Sequence, residues 1–219
     1  MDKKTIAQRI VSCGLIPIVR FDCFDDVVPI VTALLAGGVT TVEFPITSLS
    51  ALTAIETIAD TFGDTMVVGA GTVLDCDTAK SCFSAGAQFI VSPVVNESVI
   101  RLCSSNNKVS CPGALTPTEV VSAWDIGADF VKIFPCSSVG GASYIRTLKT
   151  PLPHINMIPV GGVSIGNAAD FINAGSCALG AAGGLIDKAE IAASNYDGIT
   201  GRAATFIAAI SNARNNHRE

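Results

Sequence analysis

The residue best suited to covalent chemistry is Lys132, which stands inside the apolar stretch 129–135. The other six lysines fall in predicted helices, in loops or at strand starts. A lysine enclosed by apolar groups is desolvated, and this favours the neutral amine that attacks a ketone. The sequence therefore predicts Schiff-base chemistry at Lys132. The alternative is a lysine that reaches outward to water or balances a carboxylate.

Glu43 stands in a similar place, between Val42 and Phe44-Pro45 in a second apolar run. A carboxylate beside a Schiff-base lysine can move protons as the carbinolamine, imine and enamine form. We therefore predict that Glu43 acts as a general acid/base. A buried salt bridge to Lys132 is the alternative interpretation, and it would share the location but not the chemistry.

Two further polar residues end apolar runs. Arg20 closes the first run, and its planar guanidinium suits a carboxylate or phosphate, although a surface arginine is the alternative. Thr72 follows Gly69-Ala70-Gly71 and offers a hydroxyl and backbone N–H groups, while the glycines permit close approach of a ligand.

These residues need a scaffold, and the apolar pattern predicts one. Short apolar runs recur along the chain, each followed by a segment with helical periodicity, which is typical of βα units. Most runs show little polar alternation, as expected of parallel strands buried on both faces. The predicted strands are 15–21, 40–46, 66–72, 88–94, 108–115, 129–135, 156–163 and 178–185.

Eight such units predict an α/β fold of the (β/α)8 TIM-barrel type, formed as a single domain over 1–219. A leading helix over 3–13 would cap the barrel bottom. Helices over 25–36, 50–62 and 77–85 would each end at a glycine, and one near 201–214 would close the ring before a frayed tail at 215–219. An open doubly wound sheet competes, but no G-x-G-x-x-G follows the first strand.

In such a barrel the loops after strands seven and eight commonly hold phosphate on backbone N–H groups. Two glycine pairs stand there: Gly161 with Gly162, and Gly183 with Gly184. We predict that they bind phosphate, and simple turns are the alternative.

Composition narrows the function classes. The 219 residues are 49% hydrophobic with a net charge of −5, and the 14 basic residues argue against nucleic-acid binding. The polar start and the absence of a long apolar run predict a cytoplasmic protein with no membrane span. With His154 and His217 as the only histidines, a His-rich metal site cannot be assembled and we expect no metal; a magnesium site built from carboxylates and water is the alternative. No C-x-x-C pair occurs, and most cysteines are predicted to be buried and reduced: Cys13, Cys23, Cys76, Cys82, Cys103, Cys111, Cys136 and Cys177.

With these residues in place, nearly the whole chain resembles the 2-keto-3-deoxy-6-phosphogluconate aldolase family, which includes 4-hydroxy-2-oxoglutarate and phosphogalactonate aldolases. The stretches are highly specific only when taken together. The matching stretches are Gly37-Gly38-Val39, Val42-Glu43, Val68-Gly69-Ala70-Gly71-Thr72-Val73, Ile90-Val91-Ser92-Pro93, Cys111-Pro112-Gly113, Thr116-Pro117-Thr118-Glu119, Val131-Lys132-Ile133-Phe134-Pro135 and Pro159-Val160-Gly161-Gly162-Val163.

The resemblance implies that Lys132 forms the Schiff base and that Glu43 is the acid/base, with no further cofactor. It implies that the regions around Thr72, Pro93, Gly113 and Phe134 line the site for the pyruvate half of the substrate. It also implies that the protein is a homotrimer. The other implied partners are small molecules, a 2-keto acid and an aldehyde.

Three positions depart from the commonest family pattern. Thr47 stands where some members carry the substrate arginine, and Arg20 matches the place used by others. Val160, before the first glycine pair, resembles phosphogalactonate aldolases rather than the threonine typical of phosphogluconate aldolases. The segment 180–185 lacks the serine or asparagine that many members use for phosphate. The motifs thus leave open the configuration at C4 and whether the substrate is phosphorylated.

The resemblance implies cleavage of 2-keto-3-deoxy-6-phosphogluconate, or its galactonate epimer, to pyruvate and glyceraldehyde 3-phosphate. Cleavage of 4-hydroxy-2-oxoglutarate to pyruvate and glyoxylate, with oxaloacetate decarboxylation as a side activity, is the alternative enzyme function. A barrel that only binds a phosphorylated metabolite is the alternative from another class.

Overall fold

The computed structural model describes residues 1–47 and 50–216, and its centre is a ring of eight parallel strands. The second to fifth strands form one hydrogen-bonded series, the fifth to seventh another, and the eighth pairs with the first. Bridges between Ile18 and Glu43 and between Val160 and Gly180 join the remaining edges. The predicted barrel is confirmed.

Each observed strand lies within one predicted run but is shorter, because the apolar residues continue past the last ladder hydrogen bond. The fifth is split at Pro112, whose carbonyl still accepts a 2.8 Å hydrogen bond from the Lys132 N–H on the next strand. The strands are β1 (Leu15–Pro17), β2 (Thr41–Pro45), β3 (Val67–Gly71), β4 (Phe89–Val91), β5 (Val109–Cys111 and Gly113–Ala114), β6 (Val131–Ile133), β7 (Met157–Pro159) and β8 (Leu179–Ala181).

The leading helix, α1 (Lys3–Cys13), has the predicted bounds and closes the bottom of the barrel. Its start is set by Asp2, whose side chain accepts a 2.8 Å hydrogen bond from the Thr5 N–H. Ile6 and Ile10 are buried and join the apolar cluster inside the barrel.

The other helices cover the outside of the ring, and none within the described residues combines the length and apolarity needed to cross a bilayer. A Cβ on Gly37 would lie 2.5 Å from that of Ala203, so glycine lets the last helix pack closely. The helices are α2 (Val27–Ala36), α3 (Ala51–Phe62), α4 (Cys76–Ser84), α5 (Glu97–Ser105), α6 (Pro117–Ile126), α7 (Ala142–Lys149), α8 (Ala168–Asn173), α9 (Lys188–Ala192) and α10 (Asp197–Asn216).

Two helix predictions need correction. The helix predicted from residue 25 begins at Val27, because a 3-10 turn, Phe24–Asp26, precedes it. The terminal helix, predicted near 201–214, spans Asp197–Asn216, so it begins four residues earlier and the first two residues of the predicted frayed tail are helical. Residues 217–219, with His217, lie outside the described part of the chain.

The prediction of buried cysteines is only partly correct. Cys82, Cys103, Cys111 and Cys136 are buried, three others are half-buried, and Cys23 is exposed. All eight are unpaired. Within residues 1–47 and 50–216, no group of three His, Cys, Asp or Glu side chains is arranged to hold a metal ion.

Candidate active site

Lys132 lies in the middle of β6 with its side chain directed into the barrel. Val131 and Ile133 pack outward against the helices while Phe130 belongs to the inner cluster, so strand alternation turns Lys132 inward. The residue is only 6% exposed. Its Nζ lies 4.7 Å from the ring centroid of Phe134, whose face attracts a cation. The side chain therefore does not reach outward to the surface.

Glu43 occupies the equivalent inward position on β2. Its neighbours Val42 and Phe44 face the helices, and Glu43 itself is 4% exposed. The backbone carbonyl of Glu43 accepts a 2.8 Å hydrogen bond from the Val19 N–H, which fixes this point of β2 against the end of β1. The two residues with the strongest predicted chemistry thus face the same interior.

The amine of Lys132 and the carboxylate of Glu43 are near each other but are not paired. Neither side chain forms a hydrogen bond or ion pair with any described residue. Burial raises the pKa of Glu43 above its usual value, and the positive charges of Lys132 and Arg20 offset this only in part. This arrangement differs from the buried salt bridge considered above. It leaves room for a substrate atom or water to carry a proton between the groups.

Arg20 follows β1 and is exposed. Its guanidinium forms no hydrogen bond or ion pair within the described residues, although its charge acts on Glu43. It lines a cavity of about 290 Å³ together with Asp22 and Lys188. The geometry therefore offers, beside the barrel mouth, a guanidinium that no described residue pairs with, as an anion site requires.

Four further predicted residues follow neighbouring strands on one side of the mouth. Thr72 follows β3 and has a left-handed φ of 60°, Pro93 follows β4, and Phe134 follows β6. Gly113 lies between them on β5, and a Cβ there would be 2.5 Å from the carbonyl oxygen of Pro93. The structure thus brings Thr72, Pro93, Gly113 and Phe134 to one rim, with Phe134 in contact with the Lys132 amine.

Val160 and the first glycine pair follow β7. Val160 is 7% exposed and belongs to the inner cluster, so it faces the interior shared with Lys132. Gly161 and Gly162 have φ angles of 94° and 77°, which glycine adopts without strain. The Ser137 Oγ would lie 2.9 Å from a Cβ on Gly162, so a side chain there would clash.

The second glycine pair follows β8 and is accompanied by a cation that the motif search missed. Gly183 and Gly184 are exposed, with no atom within 4 Å of either Cβ position. Gly184 and Lys188 line a cavity of about 320 Å³, and the Lys188 Nζ lies 2.7 Å from an Asp22 carboxylate oxygen. Lys188 was one of the six lysines expected in helices, in loops or at strand starts. Its spacing of four residues from Gly184 is the signal that could have identified it.

The glycines before Thr72 serve a different purpose from the one predicted. A Cβ on Gly69 would overlap the ring of Phe89, and one on Gly71 would overlap the carboxylate of Glu43. The space beside both glycines is therefore filled by the protein's own side chains and is not open to a ligand.

One further cavity lies away from these residues. It measures about 940 Å³ and is lined by α1 residues together with Trp124, Asp129 and Asn156, at the bottom of the barrel. Since parallel barrels place their chemistry at the opposite end, the mouth near Lys132 is the candidate active site.

Comparison with known proteins gives one family. Residues 6–201 match the family model described as KDPG and KHG aldolase. The chain is 31% identical to 2-dehydro-3-deoxy-phosphogluconate aldolase of Treponema pallidum (strain Nichols), over 90% of this chain and 93% of the relative. It is 38% identical to 2-dehydro-3-deoxy-6-phosphogalactonate aldolase of Escherichia coli (strain K12), over 76% of this chain and 81% of the relative.

A solved structure agrees with the sequence relatives. The structure described as native KDPGal superimposes with a TM-score of 0.85 at 34% sequence identity. The match covers 92% of this chain and 96% of that one. The family match over residues 6–201 spans the barrel strands and all the candidate residues.

Proposed function

The chain belongs to the KDPG and KHG aldolase family, and we propose that it cleaves 2-keto-3-deoxy-6-phosphogluconate or its galactonate epimer to pyruvate and glyceraldehyde 3-phosphate. The observation that carries this proposal is the buried Lys132 amine, which pairs with no described residue, inside a barrel that also encloses the Glu43 carboxylate. The relatives named above favour these phosphorylated acids over 4-hydroxy-2-oxoglutarate.

In the proposed mechanism, the neutral Lys132 amine attacks the C2 ketone to form a carbinolamine, which loses water to give an imine. Glu43 takes the proton of the C4 hydroxyl as the C3–C4 bond breaks, and the bonding electrons move into the imine. The aldehyde leaves and an enamine of pyruvate remains. Protonation at C3 and hydrolysis of the imine release pyruvate and free Lys132. Because the imine accepts the electrons, neither a metal nor an organic cofactor is required.

The rim residues would hold the pyruvate half. Arg20 suits the C1 carboxylate, since its guanidinium is unpaired among the described residues and its charge acts on Glu43. Thr72, Pro93, Gly113 and Phe134 would enclose the carbon chain next to Lys132. Binding the carboxylate at a fixed point places C2 against the amine.

The inward-facing Val160 supports a preference for the galactonate epimer. We expect the wild type to cleave the galactonate substrate with the higher kcat/KM. Val160→Thr should shift the ratio towards the gluconate epimer by about fivefold, since one new hydrogen bond is worth roughly 1 kcal/mol. Steady-state pyruvate release from both epimers, and from 4-hydroxy-2-oxoglutarate, measures this. Failure to cleave either phosphorylated epimer would overturn the proposed substrate class.

For the phosphate we propose backbone N–H groups of Gly161, Gly162, Gly183 and Gly184, supplemented by the Lys188 ammonium. Arg20 and Lys188 line the same cavity together with Asp22 and Asp26, so the two cations lie on one side of the barrel. The pair between Lys188 and Asp22 is exposed, so a phosphate dianion can replace the carboxylate at little cost.

Lys188→Ala is therefore expected to raise KM for the phosphorylated substrate by about tenfold, because a charge-assisted hydrogen bond is lost, and to leave the rate on unphosphorylated 2-keto acids unchanged. Lys80→Ala is the matched control, since Lys80 is also exposed and ion-paired, with Asp77 at 2.9 Å. An equal effect of Lys188→Ala on both substrate types would count against a phosphate role.

We further propose a cytoplasmic homotrimer, as the family resemblance implies. The unpaired cysteines favour a reducing compartment. Leu74 and Val94 are 50% and 48% exposed on neighbouring loops, and such apolar side chains are suited to a subunit contact. A light-scattering mass of one or two chains would contradict the trimer.

A further inference from the structure

The carboxylate of Glu43 occupies the place where residue 71 would carry a side chain. A Cβ on Gly71 would lie 2.5 Å from the Cδ of Glu43 and 2.9 Å from its Cγ, and closer still to Oε1. These separations are far below van der Waals contact. Any side chain at position 71 would therefore displace the carboxylate.

The pairing of β2 with β3 explains this proximity. Glu43 lies opposite Gly69 and Pro45 lies opposite Gly71, so the Glu43 side chain crosses β3 towards the barrel mouth. The floor below it is closed by Phe89, whose ring fills the space beside Gly69. The carboxylate can thus extend along β3 only because Gly71 leaves the next position empty.

No hydrogen bond from a described residue holds the carboxylate, so its position depends on shape and on long-range charge. The charged or titratable groups that act on it are Lys132 from β6, Arg20 from the end of β1 and the Cys111 thiol from β5. A carboxylate forced away from β3 would move towards the nearest cation, since opposite charges attract strongly in a buried site.

We propose that Gly71 is a positioning residue, which holds the Glu43 carboxylate apart from Lys132 so that the two remain unpaired and ready to transfer protons through substrate. This inference rests on the proposed function. With alanine at position 71, the carboxylate would pair with the Lys132 ammonium. The pair would hold the amine that must attack C2 and remove the base from the C4 hydroxyl.

Gly71→Ala is expected to lower kcat by about 10²-fold with little change in KM, as expected when a catalytic group is misplaced by about 1 Å. The acid limb of the kcat–pH profile should move to lower pH, because a closer Lys132 charge favours ionised Glu43. Gly201→Ala is the matched control, since Gly201 lies on α10 with no atom within 4 Å of its Cβ position. It should leave kcat and the pH profile unchanged.

A double variant separates this role from general damage to the fold. Glu43→Ala removes both the carboxylate and the clash, so adding Gly71→Ala to it should change kcat less than twofold, by the non-additivity of residues that act as a unit. If Gly71→Ala alone unfolds, the Glu43→Ala, Gly71→Ala double variant should recover the thermal midpoint. Additive losses, or no recovery, would show that Gly71 does not act through Glu43.

Failure of the inference about Gly71 can be distinguished from failure of the proposed function. A wild-type protein without aldolase activity overturns the function itself. An active wild type with an equally active Gly71→Ala variant overturns only the role of Gly71.

Discussion

Replacing Lys132 with alanine is expected to abolish the reductive trapping of pyruvate on the protein and to lower cleavage by roughly 10³-fold or more, as for removal of a covalent nucleophile. The structure supplies the reason. Lys132 is buried inside the barrel, forms no ion pair with a described residue, and has the ring of Phe134 at 4.7 Å. Its amine is therefore placed to reach a ketone that enters the mouth.

The measurement is mass spectrometry of the intact protein and its peptides after incubation with pyruvate and sodium borohydride. Wild-type protein should carry one pyruvyl group, on the peptide that contains Lys132. Lys108→Ala is the matched control, because Lys108 is half-buried and its Nζ also lies near an aromatic ring, 5.6 Å from the centroid of Phe83. That variant should be labelled like the wild type.

The opposite result has a definite meaning. An unlabelled wild-type protein, with a known class I aldolase labelled in parallel, would favour a barrel that binds a metabolite without turnover, or an enzyme with a different mechanism. A pyruvyl group on another lysine would show that the position of Lys132 inside the barrel does not determine reactivity.

The barrel was predictable because each strand is a short apolar run and each helix carries its own boundary signals. The glycine after α3 is such a local feature, and the structure confirms that the helix ends there. The unpredicted helix α9 is only five residues long, Lys188–Ala192, too short to give a clear apolar period. Strand ends were overestimated since hydrophobicity does not reveal where ladder hydrogen bonds stop.

The composition of the site was more predictable than its geometry. A lysine or glutamate inside an apolar strand is visible in the sequence, so Lys132 and Glu43 were found at once. Whether they form a salt bridge depends on distances between β2 and β6, which are not neighbours in the chain or in the ring. The role of Gly71 was misread for the same reason, because the group that fills its space comes from another strand.

Replacing Glu43 with glutamine should lower kcat by about 10²- to 10⁴-fold, the usual range for loss of a general acid/base, while pyruvate is still trapped on Lys132, though more slowly. The pH profile gives the more specific test. Burial raises the pKa of Glu43, so the carboxylate form is lost as the pH falls through a value above that of ordinary glutamate. The acid limb of the wild-type kcat–pH profile should lie at this raised pKa, and the Glu43→Gln profile should lack that limb.

The raised pKa of Glu43 also predicts that the replacement that lowers activity raises stability at neutral pH. A carboxyl group whose pKa is raised on folding binds its proton more tightly in the folded state, so the free energy of unfolding falls as the pH rises above the pKa of the unfolded form. Glutamine carries no such charge. Glu43→Gln should therefore match the wild type in thermal midpoint at acid pH and exceed it at neutral pH. Glu56→Gln, on the exposed face of α3, should change neither activity nor this difference. A Glu43→Gln protein that is less stable at neutral pH would show that the carboxylate is retained for the fold. A variant that is more stable but inactive would show that the buried carboxylate beside Lys132 is retained for activity, at a cost in stability.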